Sequence, residues 1–135
     1  GMIGIDTNVL LRLLVGEHDG QLKAAERFID THCSSADPGY VSRIVIAEIA
    51  WVLKDVYDYD RSQIAGAIRG ILNVSQFEID SADEVHAAVT DFEKFPAGFT
   101  DCLIARTNAS AGCDYTVTFD RKAAKLDTFE LLKSS

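Results

Sequence analysis

Four carboxylates carry most of the chemistry this chain could do. Asp6 ends the apolar run "MIGID", Asp101 follows the break "FPAGFT", and Asp120 ends "YTVTF", whereas Glu48 lies inside "IVIAEIAWVL", with nine apolar residues around it. Burying an isolated ionised carboxylate is costly unless it is paired, protonated or bound to a metal. Glu48 therefore predicts either a basic partner from another element or further acids around a shared divalent cation. Asp6, Asp101 and Asp120 each fit a helix start too, as N-caps or first-turn acids. Four converging carboxylates cannot all ionise in a dry site without a cation. Oxygen-only donors select hard ions such as Mg²⁺ or Mn²⁺. Such an ion ionises a water for in-line attack on phosphorus, so phosphodiester hydrolysis without a covalent intermediate is the chemistry that suits the set.

The other reactive groups are less pointed. His18, His32 and His86 fit no HExxH spacing, and no GxSxG, Walker A or GxGxxG motif occurs. Cys102 adjoins Asp101 but has no histidine partner in sequence, which predicts a packed thiol rather than a nucleophile. Arg121, Lys122 and Lys125 follow Asp120 and suit either RNA phosphates or a solvated face. Trp51 is expected in the core, and Tyr57 and Tyr59 on a partner surface.

The elements that must position these residues follow from apolar spacing. "MIGID" predicts a strand and "VLLRLLV" a helix after the polar turn Asp6-Thr7-Asn8. Leu22, Ala25, Phe28 and Ile29 share one face of a second helix. "YVS" predicts a short strand, after which Ser42 caps the helix bearing Glu48, apolar nearly all round and hence central. Asp60 caps a helix through Ile64, Ile68 and Ile71. "FEID" predicts a strand, and Ser81 and Glu84 a capping box for a helix through Val85, Val89 and Phe92. Thr100 is expected to cap a helix that Gly112 stops. "YTVTF", a turn or two of helix over "RKAAKL", and a strand at "FELL" complete the chain. Alternating strands and helices predict an α/β fold with a mainly parallel central sheet flanked by helices on both faces. Its ligand site belongs beyond the carboxyl ends of the strands.

Composition narrows the class. A chain of 135 residues, 47% hydrophobic and 25% charged with two prolines, suits one soluble globular domain. No apolar run reaches membrane-span length and no signal peptide is evident, so the expected location is cytoplasmic. The odd cysteine number, with no CxxC pair, argues against a disulfide framework. A net charge of −8 argues against binding nucleic acid through phosphates alone. Bound divalent cations would reverse that local field.

"IGIDTNVLLRLL", "AEIAWVL", "FTDCLIA" and "TFDRKAAKL" occur in the order and approximate spacing of PIN-domain ribonucleases. The chain most closely resembles the toxins of bacterial toxin and antitoxin pairs in that family. The resemblance spans essentially the whole length after Gly1, which reads as a cloning remnant, so one PIN-like domain over residues 2–135 is expected. It implies that Asp6, Glu48 and Asp101 are the acidic metal-site residues, with Asp120 as a fourth, more variable acid. It further implies that Thr7 and Asn8 orient the first carboxylate, that Mg²⁺ or Mn²⁺ is the cofactor and RNA the substrate, and that a cognate antitoxin and a homodimer are the partners. Two rivals remain. A PIN-like protein could bind metal or antitoxin without cleaving RNA. An aspartate-nucleophile phosphatase would need a second Asp two residues after the first, where this chain has Asn8.

Overall fold

The third helix shows how the chain resolves its ambiguities. In the computed structural model, which describes all residues from Gly1 to Ser135, α3 spans Arg43–Asp55, and the Ser42 hydroxyl accepts from the Val45 N–H at 3.3 Å. Ile46, Ile49, Ala50 and Leu53 form its buried face. Ile44, Glu48 and Trp51, spaced four and three apart, form the opposite stripe, with Ile44 81% and Trp51 59% exposed. Glu48 is exposed as well. The expectation that the helix is buried all round, with Glu48 and Trp51 inside, is therefore corrected. Apolar letters on both faces conceal which face the core selects.

The element order is β1 (Ile3–Gly4), α1 (Thr7–Val15), α2 (Asp19–His32), β2 (Gly39–Val41), α3, α4 (Arg61–Leu72), β3 (Phe77–Ile79), α5 (Ala82–Lys94), α6 (Phe99–Ser110), β4 (Thr116–Thr118), a 3₁₀ turn at Ala123–Lys125 and β5 (Phe129–Leu131). Every strand pairing is parallel, as the α/β reading expects. The strands form two sheets: β1-β2-β3 in that order, and β4-β5 alone. Ile3 pairs with Gly39 and Tyr40 with Glu78, so β1 is an edge strand of the larger sheet. A side chain at Gly39 would come within 3.0 Å of Ile5 Cγ1 and 3.1 Å of Cys33 Sγ. Any larger residue there would make the Ile5 and Cys33 side chains give way by a few tenths of an ångström.

The helices bury the faces that spacing selects: Ile64, Ile68 and Ile71 in α4, and Val85, Ala88, Val89 and Phe92 in α5. Together with α3 they contribute to one apolar cluster, in which Ile46, Leu53, Ile68 and Val85 are fully buried. Asp60 and Gln63 complete a capping box on α4. Two caps differ from expectation. Ser81 adopts a left-handed φ of 55° and makes no cap bond to α5; its hydroxyl donates to Asp80 Oδ1 at 3.0 Å. Gly98, not Thr100, is the N-cap of α6, which begins one residue before Thr100. The tyrosines are also corrected. Tyr57 and Tyr59 are half-buried against the core, and the Tyr57 hydroxyl donates to Glu17 Oε2 at 3.3 Å. Trp51, read as core, is instead among the aromatics exposed to a partner.

Candidate active site

Asp6 sits where β1 gives way to α1, and its Oδ1 accepts from the Thr7 N–H at 2.7 Å, capping the helix. Past β4, Asp120 is held in the turn that leads to the 3₁₀ segment, where its Oδ1 accepts from the N–H groups of Lys122 at 2.8 Å and Ala123 at 3.1 Å. In both residues Oδ2 makes no hydrogen bond. Capping and cation binding are thus compatible, because the backbone fixes one oxygen and leaves the other free.

Asp101 lies in the first turn of α6. The turn before it is held by Arg61, whose Nη2 donates to the carbonyls of Phe92, Phe95 and Ala97 at 2.5, 2.6 and 2.8 Å. The guanidinium also lies 3.9 Å over the Phe92 ring. A side chain at Gly98 would stand 3.7 Å from Asp101 Oδ2. Sequence reasoning missed both residues; the glycine after "FPA" was the available signal, whereas carbonyls gathered from a distant loop leave no local pattern.

The structure brings Asp101 and Asp120 within electrostatic reach. Burial, and then the charge of Asp120, push the Asp101 carboxyl above the usual aspartate range. The helices carrying the other acids are neighbours, since α3 packs against both α1 and α6. Glu48 has no salt bridge, so the basic partner that the sequence left open is absent. No three side chains of His, Cys, Asp or Glu converge on a single cation position. The geometry therefore joins a pair of acids and places Asp6 and Glu48 on adjoining elements.

Thr7 supplies a separate observation. It is 6% exposed and its hydroxyl is the one buried side-chain polar atom without a partner. An unsatisfied buried hydroxyl costs about 1–3 kcal/mol, and this one belongs to the residue that follows Asp6. Asn8 is exposed beside it. In kind, the donors fit a hard divalent cation: the oxygens are carboxylate, one acid is strained by burial and by its neighbour's charge, and a nearby hydroxyl lacks a partner.

Other groups are inert. Cys102 is fully buried and its thiol is pushed up to about 12, chiefly by burial, as a packed thiol requires. Arg121, Lys122 and Lys125 are exposed beyond Asp120 and make no ion pair.

An α/β chain with acids at the ends of β1 and β4 and at the start of α6 belongs to a recognisable class. Its sequence matches the PIN domain family over residues 3–128, and the chain is a member of that family. Within that class, it is 28% identical over 122 residues to a protein named VapC ribonuclease from Aquifex aeolicus (strain VF5), with 90% of each chain covered. No helix is long and apolar enough to cross a membrane.

Proposed function

We propose that this protein is a divalent-metal-dependent endoribonuclease that hydrolyses RNA phosphodiester bonds and serves as the toxin of a type II toxin–antitoxin pair. The observation that carries this reading is the Asp101–Asp120 pair, whose mutual repulsion a divalent cation would relieve, in a PIN-family chain similar to a protein named VapC ribonuclease. Asp6, Glu48, Asp101 and Asp120 are the residues assigned to Mg²⁺ or Mn²⁺. When bound, the ion supplies a water ionised at neutral pH and neutralises charge on the leaving oxygen.

The chain's own residues prepare that chemistry. The N–H groups of Thr7, Lys122 and Ala123 hold one oxygen of Asp6 and of Asp120, so each remaining oxygen is presented with little loss of freedom. The buried Thr7 hydroxyl takes a water as its missing partner, and the exposed Asn8 adds an amide at the same helix start. Lys122 and Lys125 offset the acidic field where phosphate approaches. Arg61 fixes the turn from which Asp101 projects.

The same reading includes a cytoplasmic setting, inhibition by a cognate antitoxin and a homodimer, for which the exposed Ile44 and Trp51 supply apolar surface. The test is cleavage of a mixed single-stranded RNA pool. The wild type should cut it with Mg²⁺ or Mn²⁺ and stop with EDTA. Asp101→Asn should abolish cutting without loss of the cooperative thermal transition, and Glu48→Gln should weaken metal binding by about 10–100-fold. A wild type that binds metal or antitoxin but cuts no RNA with either ion would establish the non-catalytic alternative.

A further inference from the structure

A groove of about 530 Å³ opens beside Asp6, between β1, α1 and α2. That volume lies in the range of about 300–1,000 Å³ in which small-molecule and cofactor sites fall. Over an apolar floor, its walls carry Asp6, Asn8, Arg12, Gln21 and Phe28. Asn8 and Arg12 are four apart on α1 and share a face. Arg12 stands six residues beyond Asp6, about 9 Å of helix rise, the reach of one extended nucleotide.

Arg12 is the one arginine lining this groove, and like Arg27 and Arg121 it has no carboxylate partner. Arg43, Arg69 and Arg106 are each paired with a carboxylate, and Arg61 is committed to three carbonyls. Arg12 is held instead by a neutral amide, its Nε donating to Gln21 Oε1 at 2.6 Å. That bond aims the guanidinium while leaving its charge uncompensated and both terminal nitrogens without a protein acceptor. In a chain of net charge −8, an oriented and unneutralised guanidinium in a groove calls for an anion. Phe28 lines the same groove, 40% exposed, with its ring centroid 4.6 Å from that of His32. An exposed aromatic beside a phosphate-seeking cation is the arrangement that holds single-stranded nucleic acid.

We infer that this groove seats one nucleotide of single-stranded RNA next to the scissile phosphate, with its own phosphate on Arg12, its base against Phe28, and the amides of Asn8 and Gln21 facing sugar and base edge. The inference rests on the nuclease reading and deepens it. It also answers the objection raised by net charge, because binding then needs one well-placed cation and a stacking surface rather than a basic protein.

The experiment measures anisotropy of a fluorescein-labelled single-stranded RNA pool in EDTA at several salt concentrations, beside cleavage in Mn²⁺. Arg12→Gln should weaken binding about tenfold and reduce the salt slope by about one. Phe28→Ala, and more mildly Phe28→Leu, should weaken binding by up to about tenfold with the slope unchanged. Arg27→Gln, on α2 outside the groove, should bind as wild type. Circular dichroism checks that each variant is folded. If Arg12→Gln and Phe28→Ala bind RNA and cleave with wild-type KM, the groove assignment is overturned while the nuclease reading stands. If wild type binds RNA with these sensitivities but cuts nothing in Mn²⁺, the groove stands and the nuclease reading falls. A wild type that binds no RNA overturns the groove. Unchanged RNA affinity together with lost antitoxin binding also overturns it and gives the groove to a protein partner.

Discussion

Asp101 reports on the site without any assay of cleavage. Its carboxyl is raised by burial and by Asp120, so in the absence of a cation the ionised form opposes folding. For an acid raised in the folded state, the folded form gains relative stability at low pH. That gain is lost as pH rises from the unfolded value through the raised folded one, and at neutral pH the penalty is complete. Asp101→Asn should therefore melt at or above the wild-type temperature in EDTA. Adding Mn²⁺ should raise the wild-type transition, by about 2.7 kcal/mol at a hundredfold excess over Kd, and should leave Asp101→Asn where it was. Differential scanning calorimetry checks both, and a metal-induced shift of equal size in the variant would remove Asp101 from the cation site. Asp6 and Asp120 teach a related lesson. Their sequence context predicts caps or ligands as alternatives, and the structure shows backbone N–H groups holding one oxygen of each while the other stays available. Sequence alone conceals this because it does not say which carboxylate oxygen the backbone takes.

Among the elements, helices were largely legible and their ends less so. Ile64, Ile68 and Ile71 repeat at helical spacing and bury the expected face because one apolar stripe admits one orientation. "IVIAEIAWVL" admits two, and packing against α1, α4 and α6 decided between them. The Ser81 capping box failed because a cap needs extended backbone, whereas Ser81 is left-handed with its hydroxyl turned to Asp80. Asp80 in turn joins the end of β3 to the start of α3. Its carboxylate accepts from the Arg43 N–H at 3.3 Å and from Arg43 Nε at 3.1 Å. Burial pushes this carboxyl up, but the bonds from Arg43 and Ser81 and the Arg43 charge outweigh it and hold it below the usual range. For an acid lowered in the folded state, the stabilisation is present above the unfolded pKa, near about 4, and is lost as pH falls through the folded value. Asp80→Asn should cost about 1–2 kcal/mol at neutral pH and lose less stability than wild type below about pH 4. Urea midpoints across that range measure it.

At the scale of the molecule, the parallel α/β class was readable from the alternation of elements, and the division into two sheets was not, because strand pairing between distant segments leaves no mark in either one. Outward residues pose the same difficulty. Trp51 looks like core by type, yet it stands with Ile44 on the open side of α3. If that stripe joins two copies, light scattering should give the mass of a dimer for wild type and of a monomer for Trp51→Glu, while a monomeric wild type would reject it. The second sheet carries a further consequence. β4 has β5 as its only strand partner, Tyr115, Val117 and Phe119 are exposed at it, and one side-chain bond, Asn108 Nδ2 to Thr116 Oγ1 at 2.9 Å, ties it to α6, so it is expected to open ahead of α3, α4 and α5. Hydrogen exchange should find the β4 amides less protected than those of β2, which is bonded on both sides. Asp120 follows the end of β4, so any such opening changes its distance from Asp101, the acid whose carboxyl it helps to raise.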